Sequence, residues 1–316
     1  MNRLSLLIIC SALLSCVFLA IGCSDANVNA SAGTPKAAAA PSLQYVGAWG
    51  TKGNDAGQLS NPTSIATDPL GDIFIADAGS HFIHKFDPQG TPMLSFQDDW
   101  LRNPQSIAID RGGAIYAADA ARAGFAVYLP TGDRYHDARL SSHPSDEDVL
   151  SIAVADDGQI FVLDSDANQV FSYTPRFRLA HTWRPISGSQ GSKDRPNAIA
   201  TSSDGNVYVL AASTNRILKF NEDGHPGPEI AVKLPGAGRK LGYQFAVSNG
   251  YIFVMDGDGL TLHVLTSDGS PKLDANLAPQ LGQTNRFVPA LAASSHHELF
   301  VLDSPDSRVL RYRMNF

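Results

Sequence analysis

Short apolar runs separated by turn residues follow one another along the chain from about residue 44 onward, and the pattern repeats. An apolar segment of the type seen at residues 64–67 (SIAT) occurs six times, and its second residues, termed anchors here, are Ile65, Ile107, Ile152, Ile199, Phe245 and Leu291. Successive anchors are 42, 45, 47, 46 and 46 residues apart. A period of this length indicates a repeat architecture in which each unit packs against its neighbours.

Each unit contains four runs of strand length. A turn glycine follows the anchor, as at Gly71, and precedes a β-branched and aromatic run such as residues 73–75 (IFI). A third run (residues 84–86, HKF, in the first unit), a second turn and a fourth run complete the unit. The runs are too short for helices. Four strands per unit and six units predict an all-β, six-bladed β-propeller.

The first unit resembles the NHL repeat. Residues 61–66 (NPTSIA), 71–77 (GDIFIAD) and 83–86 (IHKF) follow the pattern of that repeat, and residues 47–50 (GAWG) with 57–59 (GQL) match its usual linker. The resemblance extends over about residues 44–316 and implies an NHL-type propeller.

The two ends of the repeat region are expected to meet. The sixth unit ends at Phe316 after its third strand, and residues 44–49 precede the first complete unit. We expect this N-terminal segment to supply the fourth strand of the last blade, because pairing it there closes the ring and covers two sheet edges. The propeller domain is therefore predicted at residues 43–316.

The N-terminus has the pattern of an export signal. Arg3 precedes the uncharged residues 4–22, and residues 20–24 (AIGCS) resemble the bacterial lipobox, which implies a signal peptide at residues 1–22 and lipidation of Cys23. Alternatives are cleavage before Cys16, ordinary cleavage nearby, or an uncleaved anchor, because 19 apolar residues can just span a bilayer. The body is predicted to be exported in every case.

The segment after Cys23 is expected to be a tether. Residues 23–42 are small and polar, so they bury too little surface to offset the entropy of ordering them. In lipoproteins of Gram-negative bacteria, the residue after the acylated cysteine helps to direct sorting. Here that residue is Ser24 rather than an aspartate, which implies the outer membrane. The predicted location is thus a lipid-anchored protein on the outer membrane, facing the periplasm.

Composition argues against a nucleic-acid-binding protein and against a disulfide-stabilised one. The chain has 24 Lys and Arg against 31 Asp and Glu, a formal net charge of −7 that argues against a nucleic-acid partner. All three cysteines precede residue 24, so no disulfide framework is expected in the body.

An acidic residue closes the second strand of five units: Asp77, Asp119, Asp164, Asp256 and Asp303. One equivalent carboxylate per blade is interpreted as an acceptor for backbone N–H groups of the adjoining loop rather than as part of a cation site. The pair His296 and His297 is interpreted as exposed turn residues, with His297 in the place of a turn glycine.

Two enzyme groups share the predicted fold. Peptidyl-hydroxyglycine amidating lyases hold zinc through histidines at the start of innermost strands, where this sequence has Ser64, Ser106, Ser151, Ala198, Gln244 and Ala290. No converging Glu, Asn and Asp set like that of the calcium-dependent lactonase-type propellers is found on the first strands either. We therefore predict no catalytic residues, no metal ligands and no cofactor.

The inter-blade loops suggest one candidate ligand site. They carry basic residues shortly before the anchors, with aromatic residues nearby in sequence: Arg102, Arg195, Arg239, Lys240 and Arg286, with Trp100, Tyr243 and Phe287. If these loops converge over the face on which the innermost strands begin (the upper face), they would form a basic, aromatic-lined mouth suited to carboxylates or phosphates. The alternative is solvated loop charges paired with nearby acids.

The predicted function is non-catalytic recognition. An exported, lipid-anchored propeller would act as a recognition or scaffold module for a protein, peptide or glycan of the cell envelope. The alternative is an enzyme centred on the channel, similar to the amidating lyases or lactonases and using a divalent metal.

Overall fold

Six four-stranded antiparallel sheets account for nearly all regular structure in the computed structural model, which describes residues 40–140, 150–187, 195–234, 240–282 and 290–316. Strand β1 (Ser42–Trp49) comes first in the chain. Blades one and two are β2 (Pro62–Thr67), β3 (Ile73–Asp77), β4 (Phe82–Phe86), β5 (Pro92–Phe96) and β6 (Pro104–Ile109), β7 (Ile115–Asp119), β8 (Gly124–Tyr128), β9 (Arg134–Arg139). Blades three and four are β10 (Leu150–Val154), β11 (Ile160–Asp164), β12 (Gln169–Tyr173), β13 (Leu179–Trp183) and β14 (Ala198–Thr201), β15 (Asn206–Ala211), β16 (Arg216–Asn221), β17 (Ile230–Ala231). Blades five and six are β18 (Leu241–Ser248), β19 (Tyr251–Asp256), β20 (Thr261–Thr266), β21 (Pro271–Asn276) and β22 (Ala290–Ala293), β23 (Glu298–Asp303), β24 (Arg308–Asn315).

Helices are few and short in these ranges. One α-helix spans Ala278–Leu281, and 3-10 turns span Ala120–Arg122, Ala212–Thr214 and Ser304–Asp306. Among the described residues, no helix has the length and apolar character needed to cross a bilayer.

The N-terminal strand closes the last blade, as predicted. Sheet order in blade six is β1-β24-β23-β22, so β1 is its outermost strand. The antiparallel register runs from Ser42 opposite Asn315 to Trp49 opposite Val309, with one irregularity between Tyr45 and Gly47. The ring of blades is thus closed by pairing the two ends of the repeat region.

The core lies between blades rather than inside any one of them. All residues of the second strands β3, β7, β11 and β23 are buried, whereas the outermost strands β9 and β13 are mostly exposed. Six clusters of buried apolar residues are each shared by two adjacent blades. Because every blade covers a face of its neighbours, the fold needs all six.

Near the outer edge of the ring, adjacent blades fit together by matching a large side chain on one blade with a small residue on the next. At four interfaces, a bulky residue of the outermost strand lies over the second turn glycine of the next blade: Trp49 on Gly90, Phe96 on Gly132, Trp183 on Gly224 and Ile230 on Gly269. The other two interfaces reverse the sizes. Ala138 and Ala275 replace the bulky residue. Phe177 occupies the glycine position opposite Ala138, and Phe316, which directly follows β24, packs in the same cluster as Ala275. Phe177 keeps the positive φ of the turn, at 60°.

Candidate functional site

The acid that closes the second strand holds the loop above it. The Asp77 carboxylate is fully buried and accepts backbone N–H bonds from Ser60 (2.6 Å), Asn61, Gly79 and Ser80 (2.9 to 3.1 Å). These four bonds satisfy the buried charge and fix both the loop before β2 and the turn after β3. The structural interpretation of this carboxylate is confirmed.

The equivalent acids of the other blades show the same use with variations. Asp119 accepts from the Arg102 and Asn103 N–H groups at 2.7 and 2.8 Å, and burial raises the pKa of Asp119 despite these bonds. Asp164 accepts the Ala167 N–H of its own turn, and Asp256 accepts the N–H of Thr261 at the start of β20. Asp303 accepts the Arg308 guanidinium at 2.9 Å. In blade four, where Ala211 takes the position, the Asn197 side chain accepts from the Ala212 N–H instead.

The serines at the start of the first strands bind the blades to one another. The hydroxyl oxygens of Ser64, Ser106 and Ser151 accept the backbone N–H of the anchor in the next blade, at 3.1 to 3.2 Å. An innermost strand has no neighbouring strand on its channel side. The N–H groups on that side therefore need other acceptors, such as these hydroxyls. These three serine side chains therefore stabilise the ring by joining adjacent blades.

One buried histidine lies under the segment after β1. His84 on β4 is fully buried, with its Nδ1 2.8 Å from Ser95 Oγ, and the Gly57 N–H donates to both atoms (3.3 and 3.1 Å). Its Nε2 is buried with no partner among the described residues. Burial lowers the pKa of His84 from 6.5 to about 4, and the negative charge of Asp77 offsets part of this effect.

This histidine should make the fold sensitive to mild acid. Because the pKa is lower in the folded state, the unfolded chain takes up the proton first, so stability falls as pH decreases from about 6.5 to about 4. A shift of this size corresponds to roughly 3 kcal/mol. Chemical denaturation of the His84→Asn variant between these pH values should show a smaller loss than the unmodified chain, whereas His225→Asn, at an exposed turn, should show the full loss. Equal pH dependence in all three proteins would contradict the assignment.

The two adjacent histidines are turn residues, as predicted. Both His296 and His297 are exposed, and His297 has a φ of 60° at the position where other blades have glycine. No group of three or more His, Cys, Asp or Glu side chains in the described ranges is arranged to hold a metal ion.

One of the residues predicted to line a basic mouth on the upper face is buried. Trp100 is 5% exposed, packed with Leu101 and Ile107 in the cluster between blades one and two, so its indole cannot line a mouth. The Asp98 carboxylate accepts the N–H groups of Trp100 and Leu101 at 3.0 and 3.1 Å and so fixes the backbone of this loop. The expectation for Trp100 was therefore wrong.

The other members of that set differ in environment. Arg195 is paired with Asp166, the Lys240 ammonium donates to the Ser213 carbonyl, Arg102 is exposed and Tyr243 is 52% exposed. Asp98 and Asp99 pair with Arg134 rather than with Arg102. Arg239, Arg286 and Phe287 lie outside the described residues, as does Cys23. Convergence of these loops stays a prediction.

A cavity of about 810 Å³ opens at the opposite end of the channel, and we term it the lower funnel. All six blades contribute to its lining through the end of the first strand and the turn that follows. The wall is formed by the residues two positions after the anchors: Thr67, Ile109, Val154, Thr201, Val247 and Ala293. The rim is formed by turn residues that include Asp68, Asp110, Arg111, Asp156, Ser202, Asp204, Asn249 and Ser295. The volume is that of a small-molecule site.

The rim side chains are fixed by local bonds. Asp68 and Asp110 each accept two turn N–H groups (2.8 to 2.9 Å), Asp68 is ion-paired with Lys85, and Asp110 also accepts the Tyr116 hydroxyl (3.1 Å). Arg111 and Asp156 pair across the gap between blades two and three. The funnel therefore has a preformed rim around an apolar wall.

Sequence reasoning placed no site at this end. The wall residues differ in type from blade to blade, so only their constant distance from the anchors marks them. That distance was available in the sequence, but the six positions meet only once the ring is closed.

One segment of the chain matches the model of a known repeat family. A sequence model of the NHL repeat matches residues 59–86, the region from the linker before β2 through β4. One blade of this propeller matches the NHL repeat. No curated protein is significantly similar to the chain in sequence.

Solved structures share the architecture at low identity. A streptogramin B lyase superposes with a TM-score of 0.62 and 13% identity, covering 87% of this chain and 98% of that one. Virginiamycin B lyase from Staphylococcus aureus gives 0.59 and 12%, covering 86% and 99%. The WD40 repeats of RRP9 give 0.58 and 12%, covering 87% and 99%. At these identities the likeness is one of fold.

Proposed function

We propose that this protein is an exported, lipid-anchored propeller that recognises a partner or ligand in the cell envelope without catalysing a reaction. Export and anchoring rest on the sequence around Cys23, which resembles a lipobox after an uncharged segment. Recognition rests on the frame: a closed ring that carries turns and inter-blade loops, with a cavity at the lower end of its channel.

One observation carries the non-catalytic part of the proposal. Polar side chains at the start of the inner strands accept bonds from the neighbouring blade, as Ser64 does from Ile107 and Ser106 from Ile152. Groups committed in this way stabilise the ring and are not free to act on a substrate. The mouths, whose turns vary between blades, are then the parts left for binding.

The enzyme alternative remains a prediction. Two of the similar structures are lyases and another is a set of WD40 repeats, so one architecture serves proteins of different kinds. No arrangement of described side chains favours lyase chemistry over binding.

Acylation of Cys23 can be tested directly in a Gram-negative host. Cells that express the full chain with labelled palmitate should incorporate label, and Cys23→Ser should abolish incorporation, because the acylated residue becomes the new N-terminus. Cys16→Ser is the matched control and should keep the label. Label lost with Cys16→Ser and retained with Cys23→Ser would place cleavage at the earlier site.

The recognition half needs its own measurement. Crosslinking in intact cells should yield a discrete adduct of the membrane-anchored protein, and the adduct should be lost when β1 is deleted, because the ring then cannot hold its turns in place. An unchanged adduct without β1 would mean that the tether rather than the propeller makes the contact.

A further inference from the structure

The lower funnel combines an apolar wall with a charged rim. Ile109, Val154, Val247 and Ala293 present aliphatic side chains from four different blades, and only Thr67 and Thr201 interrupt this wall. The Thr201 hydroxyl donates to the Val154 carbonyl at 2.8 Å, so its polar group is turned to the neighbouring blade. The wall thus offers an apolar ligand group a concave surface with little to hydrogen-bond.

The rim above this wall carries excess negative charge. Four aspartates line the funnel, Asp68, Asp110, Asp156 and Asp204, and Arg111 is the one cation among its described lining residues. The Lys85 ammonium lies 3.5 Å from the Asp68 carboxylate and 2.8 Å from the Asp72 carboxylate, so it offsets only part of the Asp68 charge. Asp156 keeps 38% of its side chain exposed although it pairs with Arg111, and Asp204 is exposed and bonded to the Ser202 hydroxyl. A rim with net negative charge next to a low-dielectric wall concentrates the opposite charge.

We propose that the lower funnel binds an amphipathic organic cation: a ligand, or the side chain of a peptide, with an alkyl or aryl end and an ammonium or guanidinium end. The apolar end contacts Val154, Val247 and Ala293, and the cation lies at the rim near Asp156 and Asp204. This proposal deepens the recognition function proposed above and rests on it in that respect. It names the ligand class and the mouth that binds it.

The geometry distinguishes this ligand from the anion expected at the upper face. An anion at the lower rim would meet four carboxylates, and the guanidinium that could receive it, Arg111, is already paired with Asp156. A neutral apolar ligand would contact the apolar wall but would leave the negative charge of the rim uncompensated. The cation satisfies both parts of the cavity.

A set of three matched probes tests the charge preference. The full chain in nanodiscs of zwitterionic lipid is titrated with 4-phenylbutylammonium, 4-phenylbutanol and 4-phenylbutanoate, with empty nanodiscs as the blank. The ammonium probe should bind about tenfold more tightly than the carboxylate probe, with the alcohol between them. Its affinity should fall as ionic strength rises from about 0.05 M to about 0.5 M, because rim charges are screened.

Three variants locate the site. Asp204→Asn and Asp156→Asn should each weaken the ammonium probe about three- to tenfold, and Asp156→Asn the more, because it also leaves the Arg111 charge uncompensated. Ala293→Phe should abolish binding of all three probes by filling the wall. Asp133→Asn, the same change at an exposed turn of blade two, is the control and should leave affinity unaltered. The two exposed rim variants keep the test valid if Ala293→Phe fails to fold.

The outcomes separate this proposal from the function on which it rests. Equal affinity for the three probes, tighter binding of the carboxylate, no binding of the ammonium probe, or binding unaffected by the rim variants would each overturn the funnel assignment. An acylated, partner-crosslinking protein that gives any of these results would retain the proposed function. A protein that binds the cation yet lacks acylation at Cys23 would lose the anchor and keep the funnel.

Discussion

Deletion of residues 43–50 should abolish the cooperative unfolding of the propeller. This segment contains nearly all of β1, whose pairing with β24 closes blade six. The deletion also removes the Trp49 ring, which lies 4.8 Å from the Phe86 ring of blade one and over Gly90. The Tyr45 ring, 5.5 Å from the Tyr312 ring, is lost as well. The loss therefore affects two interfaces at once and is expected to approach the total stability of the domain, about 5–15 kcal/mol.

The measurement is thermal unfolding followed by circular dichroism, with an equally long deletion as its control. Removing residues 27–34 shortens the predicted tether by the same number of residues and should leave the transition unchanged. A synthetic peptide spanning residues 40–52, added to the truncated protein, should restore part of the transition, since the β24 edge remains available for pairing. An unaltered melting temperature after the 43–50 deletion would refute closure by β1.

Six blades and their closure could be predicted from the sequence because both depend on local periodicity. The anchors and the turn glycines recur at nearly fixed distances, and a third strand without a fourth in the last unit points to a partner at the other end of the repeats. The loop-holding role of Asp77 also follows locally, because a short carboxylate after a strand faces the N–H groups of its own turn.

Features that depend on the neighbouring blade could not be read in this way. Trp100 sits in a loop and resembles a binding residue in sequence, yet the packing of blades one and two buries it. The fourth strand of blade four shrinks to Ile230–Ala231, since Pro226 and Pro228 precede it and proline cannot donate to a ladder. The lower funnel exists only where six separate turns meet.

The propeller can bind a ligand at the funnel while bonds near the start of its inner strands hold the blades together. Ser64 and its equivalents bind the blades near the start of the inner strands, whereas the residues two positions after the anchors are left to line the cavity at the other end. The serine bonds between blades and the funnel wall thus lie at opposite ends of the same strands. Substitution of the exposed rim residue Asp204 should therefore change binding with little effect on folding.

Replacement of Gly224 by alanine should destabilise the fold far more than the same change at Gly113. Both glycines lie in turns with positive φ, +85° and +82°, so both substitutions cost about 1 kcal/mol in backbone strain. A methyl group at Gly224 would lie 2.6 Å from the Trp183 indole, whereas at Gly113 the nearest atom, of Pro130, is at 3.5 Å. The clash should add about 2 kcal/mol for Gly224→Ala alone.

The two reversed interfaces show why a second change should rescue the first. Phe177 occupies the position equivalent to Gly224, and its blade neighbour at the position of Trp183 is Ala138. In a Trp183→Ala background, Gly224→Ala should therefore cost only the strain term of about 1 kcal/mol, a coupling of about 2 kcal/mol between the sites. Denaturant unfolding of the four proteins in this cycle measures the coupling. Additive effects would show that the size match between blades does not control stability, because the indole would then not be what the methyl group meets.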